Sequence, residues 1–164
     1  MIDDTDHQIL RIVQYDARIS NADIARKVGL APSAVHERVR KLEERGVICG
    51  YEARIDHRQF GLGMLAFVFV KSREWGDGTD EALAKIPEVL EIHDVAGEDS
   101  FLLKVRAGSP EGLAKLLREK IKAVPTVLST RTTVVLETIK ETSSVPVACE
   151  NEPSAGGKKK KVKK

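Results

Sequence analysis

The run from Ser20 to Arg45, SNADIARKVGLAPSAVHERVRKLEER, constrains the chain most, because it reads as two short helices meeting at a tight corner. Ser20 is a good N-cap, and Asp23 three residues on suits the positive end of a helix. Ile24 and Val28 then share a face at i and i+4, with the small Ala25 beside them where a second helix can approach. Gly29 ends that helix, Leu30 fills the corner, and Pro32 restarts the chain at a first helical position, where its missing N–H is no loss. In the second helix Val35, Val39 and Leu42 form one apolar stripe.

A helical wheel centred on that stripe puts Ser33, Glu37, Arg40 and Lys41 on the far side and His36 and Arg38 at the flanks. Two helices joined by a Gly-containing turn, the second carrying basic and hydrogen-bonding groups outward, fit a DNA major groove. An ordinary helical hairpin with a solvated charged face has the same spacing, and both readings stand at this level. On the first, Ser33, Glu37 and Arg40 face base edges, while Arg38 and Lys41 lie nearer phosphates.

The remaining sequence sets the context of this corner. With 164 residues, 41% of them hydrophobic, the chain can bury a real core as one domain or two small ones. Nothing approaches a membrane span, and the acidic start MIDDTDHQIL is unlike a secretory signal, so a cytoplasmic location is expected. Cys49 and Cys149 are far apart and lack a C-x-x-C partner; neither a disulfide scaffold nor zinc is expected, and Cys49 reads as a small buried residue. The net charge of +2 misleads, because Lys158 to Lys161, Lys163 and Lys164 supply six of the 27 basic residues and leave a slightly acidic body.

In chain order, a helix over Thr5 to Asp16 should turn Ile9, Leu10, Val13 and Ala17 inward, with Asp3, Asp4 and Asp6 at its N-terminus, giving three helices before Gly46. Residues 1–50 thus form a three-helix helix-turn-helix domain. GVICGYEARI, Gly46 to Ile55, favours an extended strand, and residues 51–62 read as a hinge strand and linker. Strands and helices then alternate over residues 63–141. Met64 to Lys71 is a strand; Thr79 caps a helix carrying Leu83 and Ile86; Val89 to Ala96 and Phe101 to Arg106 form a hairpin across Gly97 to Ser100. Ser109 and Pro110 start a helix with Leu113, Leu116, Leu117 and Ile121, and Val127 to Glu137 is the last strand.

The order β-α-β-β-α-β predicts an α+β chain whose second domain is a ferredoxin-like sheet of four antiparallel strands with both helices on one face. The other face then needs a cover. In the first strand Leu65, Phe67 and Phe69 point one way and Met64, Ala66, Val68 and Val70 the other. Both sets are apolar, and the Met64 set is expected to face water in a monomer, which implies a sheet-to-sheet homodimer. From Thr142 onward the periodicity stops, and residues 142–164 read as a disordered Lys-rich tail that either holds DNA phosphates loosely or merely solubilises the chain.

Enzymatic readings find little support. His7, His36, His57 and His93 lack metal-ligand spacing, His93 and Asp94 point to opposite faces of a strand, and no P-loop, G-x-S-x-G or dinucleotide fingerprint occurs. No catalytic residue, metal or cofactor is expected.

Three runs, DDTDHQIL, ARISNADIARKVGLAPSAVHERVRKLEERGVICGYEARID and VAGEDSFLLKV, with the closing VPTVLSTRTTVVLETIK, give the chain a resemblance to the Lrp/AsnC family of feast/famine transcriptional regulators over Ile2 to Glu141. The resemblance implies an N-terminal helix-turn-helix that binds double-stranded DNA, a hinge strand, and a ligand-sensing βαββαβ domain. It also implies homodimers assembling into larger rings, often octamers, with a small amino-acid effector bound where neighbouring dimers meet. Two positions depart from the family pattern. Ala31 stands where Ser often caps the recognition helix. The family loop G-x-x-D reads Gly97, Glu98, Asp99, Ser100. In the implied site, Gly97 lets neighbouring N–H groups meet a ligand carboxylate, Asp99 pairs with its ammonium, Ser100 adds a hydroxyl, and Thr130 and Thr132 come from a neighbouring subunit. Glu98, Asp99 and Ser100 also suit a plain tight turn. The alternatives are an effector-independent, chromosome-organising DNA-binding protein and an amino-acid-sensing module that binds no DNA.

Overall fold

The computed structural model describes residues 2–74, 76 and 78–147, and the chain divides into two units: residues 1–53 together with the segment from Thr142 onward, and Arg54–Glu141.

Three helices build the first unit: α1 (Asp4–Tyr15), α2 (Asn21–Val28) and α3 (Pro32–Glu44). Local chemistry sets each boundary. Asp3 caps α1 in a reciprocal box, its carboxylate accepting the Asp6 N–H at 2.8 Å while Asp6 accepts the Asp3 N–H at 3.2 Å. Ser20 caps α2 by accepting from the Asp23 N–H, and Gly29 ends it at φ +70°, a left-handed conformation that glycine adopts without a Cβ penalty. Ala31 provides no side-chain cap for α3, which starts on Pro32 alone.

Ile9, Leu10, Val13, Ile24, Ala25, Val35 and Leu42 form the buried core, one stripe from each helix, with Val28, Leu30 and Val39 packed at its edge. Ala17 lies outside it. Helix α1 stops at Tyr15, so Ala17 falls beyond the last turn and is exposed.

Two expectations fail in the connecting segments. No strand forms between Gly46 and Ile55: the Val47 and Ile48 N–H groups turn back to the Leu42 carbonyl at the end of α3, and no described strand forms a ladder with this stretch. Cys49 is exposed rather than buried, its thiol directed to the Gly46 carbonyl at 3.3 Å. The segment after Thr142 also differs from the disorder expected of it. Residues 142–147 belong with the three helices: the Val145 N–H donates to Gln14 Oε1 at 2.7 Å, and Val147 packs against the core. The rest of the expected tail, including Cys149, lies outside the described residues.

The second unit contains β1 (Met64–Ser72), α4 (Thr79–Ala84), β2 (Val89–Asp94), β3 (Phe101–Ala107), α5 (Pro110–Lys115), whose helix continues as a wider turn over Leu116–Ile121, and β4 (Val127–Val134). The strands form one antiparallel sheet in the order β2-β3-β1-β4, and the helices pack on one face of it, the ferredoxin-like arrangement. Ser109 caps α5 by accepting the Gly112 N–H. Thr79 does not cap α4. It is the first helical residue, fully buried, its hydroxyl 2.5 Å from that of Thr126, and Gly78 at φ +76° holds the cap position.

The faces of the sheet are the reverse of expectation. Ala66, Val68 and Val70 are buried beneath the helices with Leu83, Leu103, Val105, Leu113 and Ile121, and Met64 packs at the margin of that core. The face away from the helices carries Leu65, which is buried, and the half-buried Phe67 and Phe69. Register explains this: Val68 pairs with Leu103 and Ala66 with Val105, whereas Phe67 pairs with Lys104 and Leu65 with Arg106. Lys104 and Arg106 are themselves largely buried, but on this face Lys104 meets Glu91 and Glu141 and Arg106 lies near Glu141, whereas under the helices both would stand among apolar side chains.

Candidate functional site

Helix α3 presents its outward surface as expected at most positions. Ser33, His36, Arg40 and Lys41 are exposed and Glu37 is half-buried. The His36 ring nitrogen Nδ1 lies 3.3 Å from the Asn21 side-chain amide, which joins the two helices of the corner. Glu37 bridges two cations, accepting from Arg40 at 2.8 and 3.0 Å and lying 3.4 Å from Lys41; the Arg40 hydrogen bond above all pulls its carboxyl down to about 2. Arg40 is also paired with Glu44 one turn on. The guanidinium is therefore held along the helix, in an exposed ladder from which a better acceptor can take it at small loss. A guanine edge or a phosphate is such an acceptor for Arg40, and a cytosine amino group is a donor that Glu37 can accept from.

Arg38 departs from its expected place. Its guanidinium turns away from the outer face to the start of α1, donating through Nη1 to Asp3 and to Asp6, each at 2.7 Å. The wheel put Arg38 at a flank, and Asp3 and Asp6, two of the three acids at the start of α1, are the partners that draw it in. Arg38 thus ties α3 to the capping box of α1 and fixes that helix in its unit.

In the second unit, the hairpin between β2 and β3 is knitted into the sheet. The Ser100 N–H donates to the Val70 carbonyl at 2.8 Å, and its Oγ accepts from the Ser72 N–H at 3.1 Å and the Ser72 hydroxyl at 2.9 Å. Asp99 accepts from Arg131 of β4 at 2.8 Å, and the same guanidinium lies 4.0 Å from the centre of the Phe69 ring. Gly97 and Glu98 are exposed, and Gly97 does not take up a positive φ, so the turned backbone imagined for it is not realised. Thr130 and Thr132 pair with Val70 and Val68, on the opposite side of β4 from Arg131, so a single chain does not present them together with the Asp99–Arg131 pair. Sequence reading missed Arg131 and Ser72. The one cation among the Val and Thr residues of β4 was the signal for Arg131.

On the face away from the helices, near Phe67, the largely buried Lys104 pairs with Glu91 and with Glu141, and Arg106 lies 3.8 Å from Glu141. Among the described residues no group of three His, Cys, Asp or Glu side chains is arranged to hold a metal ion, and no helix is long and apolar enough to cross a membrane.

Comparison with known proteins agrees with this geometry in both units. Residues 2–43 match the AsnC-type helix-turn-helix domain and residues 65–145 the Lrp/AsnC ligand binding domain. The HTH-type transcriptional regulator FL11 of Pyrococcus horikoshii is 38% identical over 148 residues, 89% of this chain and 97% of that protein. Among solved structures, the feast or famine regulatory protein from M. tuberculosis complexed with L-methionine superposes with a TM-score of 0.84 at 35% identity, covering 90% of this chain and 100% of that one. A transcriptional regulator from Neisseria meningitidis in complex with L-Met gives a TM-score of 0.84 at 28% identity, over 89% and 97% of the two chains. With an AsnC-type helix-turn-helix followed by the family's ligand-binding domain, and relatives matched along nearly their whole length, this chain belongs to the Lrp/AsnC family of transcriptional regulators.

Proposed function

We propose that α3 reads duplex DNA and that the second unit adjusts this reading in response to a small amino acid. The observation that carries the DNA half is the outward face of α3, where Ser33, His36, Arg40 and Lys41 are exposed while Val35 and Leu42 are buried against α1 and α2. In this reading Ser33, Glu37 and Arg40 meet base edges and Lys41 meets phosphate, and Arg38 positions the helix rather than touching DNA.

The sensing half rests on the Asp99–Arg131 pair beside Ser100. An amino acid carries an ammonium and a carboxylate, and Asp99 and Arg131 are their complements, held together until a zwitterion replaces each partner with its own opposite charge. Two structural relatives hold L-methionine, which makes a small amino acid the ligand to test first. Thr130 and Thr132 enter such a site from a neighbouring subunit. The sheet face that carries Phe67 and Phe69 pairs two chains as a homodimer, placing two recognition helices over a pseudo-palindromic site, and dimers assemble further, up to an octamer, in the cytoplasm.

The test is selection of bound genomic fragments with and without amino acids, followed by fluorescence titration of the selected duplex at fixed salt and calorimetry with the common amino acids. Arg40→Ala should relax preference at one base position at a loss of roughly 1–3 kcal/mol, while Lys41→Ala weakens all sequences alike. Asp99→Ala and Ser100→Ala should abolish ligand heat. Ligand binding unchanged in both variants would place the site elsewhere, and unaltered affinity and selectivity in Arg40→Ala would remove this face of α3 from the reading.

A further inference from the structure

The chain passes between its two units twice, at Ala53/Arg54 and at Glu141/Thr142. Neither crossing lies in a helix or a strand, so no backbone ladder fixes it. Side chains fasten both ends to one place within the second unit. Arg54, at the first crossing, donates through Nη2 to the Glu141 backbone carbonyl at 3.0 Å. The Glu141 carboxylate, at the second, pairs with Lys104 and lies 3.8 Å from the Arg106 guanidinium. Both cations stand on β3, and their side chains are only 14% and 10% exposed.

This fastening has the energetics of a two-state element. Closing it is favoured because Arg106 is desolvated, with a buried Nε that has no hydrogen-bond partner, and among the described residues Glu141 is the acid its guanidinium approaches. Lys104 and Glu141 also shift each other, the ammonium upward and the carboxyl below its ordinary 4.5. Opening is nevertheless within reach, since Lys104 keeps Glu91 at 2.9 Å and Glu141, which is partly exposed, returns to water. Strand β3 leads to this point from the candidate ligand loop. It begins at Phe101, directly after Ser100, and Lys104 stands about 10 Å further along it. Ladders to β1 and β2 on its two sides make β3 shift as one piece with the hairpin that Asp99 and Arg131 hold.

We infer that Glu141 is a clasp that fastens both linkers of the helix-turn-helix unit to β3 of the sensing sheet, and that its release is the step by which a ligand at the Asp99–Arg131 pair alters DNA reading by α3. This rests on the DNA reading and ligand sensing proposed above. A ligand moves such an equilibrium only by binding one clasp state better than the other, so removing the clasp removes the coupling and leaves each binding event in place. Glu141 is therefore a positioning residue: it touches neither DNA nor ligand.

The experiment uses the full chain and reads each linker through a change made in the other. Trypsin must seat the Arg54 guanidinium to cleave after it, so the cleavage rate tracks the released population. Glu141→Gln should raise cleavage after Arg54 about three- to tenfold, and Arg54→Gln should raise cleavage after Lys140 in the same direction, both at unchanged far-ultraviolet circular dichroism. With L-methionine and the other common amino acids, Glu141→Gln should keep the calorimetric heat of the parent. The ratio of DNA affinities with and without ligand, measured on duplexes selected from genomic fragments, should fall to within about twofold of one. Either cleavage rate unchanged to within about 1.5-fold overturns the clasp. Faster cleavage with the parent's affinity ratio overturns its role in coupling, and loss of ligand heat in Glu141→Gln overturns it as well by placing Glu141 in the ligand site. Should Glu141→Gln unfold, Arg54→Gln decides by the same two readouts, since it alters an exposed side chain. The two readings fail differently: a parent chain that binds no duplex, or whose DNA affinity ignores every amino acid, overturns the proposed function and the coupling, while the cleavage rates decide the clasp by themselves.

Discussion

Replacing Arg38 by Met separates a structural role from a phosphate contact, because the two roles change different measurements. Its guanidinium is 34% exposed, while the carboxylates it bridges differ: the Asp6 side chain is 10% exposed and that of Asp3 52%. A hydrogen bond to a charged group contributes roughly 1.5–3 kcal/mol when well buried, and an exposed ion pair about 0–1. The Asp6 bond therefore falls near 1–2 kcal/mol and the Asp3 bond near 0.5, a combined loss of about 2 kcal/mol in a variant that keeps the aliphatic stem. In a unit of this size about 2 kcal/mol lowers the thermal midpoint by roughly 8–15 °C. Urea unfolding followed by circular dichroism, with hydrogen exchange on α1, measures it. A double-mutant cycle with Asp6→Asn should return a coupling of about 1–2 kcal/mol, which removes the separate effect of Asp6 on the capping box. The salt slope of DNA binding should stay the same. If instead Arg38→Met leaves stability within about 0.5 kcal/mol of the parent and makes the salt slope shallower by about 1, Arg38 contacts phosphate and the bridge to α1 is incidental.

Val68→Asp should unfold the second unit, at a loss above about 4 kcal/mol, because it places a carboxylate in the fully buried core; Phe67→Ser with Phe69→Ser should leave circular dichroism unchanged and shift sedimentation to monomer. A stable dimer of the double Phe variant would refute the assigned sheet face. Gly108→Ala should destabilise by about 1–3 kcal/mol, since its Cβ would stand 2.6 Å from the Gly61 carbonyl oxygen, while Gly97→Ala, which meets nothing within 4 Å, should be nearly neutral in urea unfolding. The Asp3 carboxyl is held below its ordinary 3.8, first by the Asp6 N–H and then by Arg38. With the folded value depressed, the stabilisation is complete above 3.8 and disappears as pH falls through the lower folded value, so Asp3→Asn should flatten the acid limb of stability below pH 3.8.

What the sequence determined by itself was local. Ser20 and Gly29 bound α2, Pro32 starts α3 and Ser109 caps α5, because capping involves groups within a few residues of one another, and those groups are adjacent in the string of letters. The order of strands and helices, and with it the ferredoxin-like sheet, was legible for the same reason. The outward set on α3 followed from the 3.6-residue period once its apolar stripe was placed, and Ser33, His36, Arg40 and Lys41 all stand there.

Tertiary structure decided whatever depended on a distant partner. Within β1 the two alternating sets are both apolar, so the strand holds no information about which one meets the helices; Lys104 and Arg106 on β3, brought opposite Phe67 and Leu65 by register, settle it. Arg38 turned inward because Asp3 and Asp6, more than thirty residues earlier, lie within 2.7 Å of it in the folded unit. Arg131 joined the candidate effector site only when sheet pairing brought β4 beside β1 and its guanidinium to Asp99 and Phe69. Val145 and Val147 docked on the first unit although no periodicity marked them, because their partners are distant in sequence: Gln14, which accepts from the Val145 N–H, lies 131 residues earlier. Gly46 to Ile55 has strand-forming residues but no ladder partner among the described residues, and without a neighbouring strand β propensity does not become a strand.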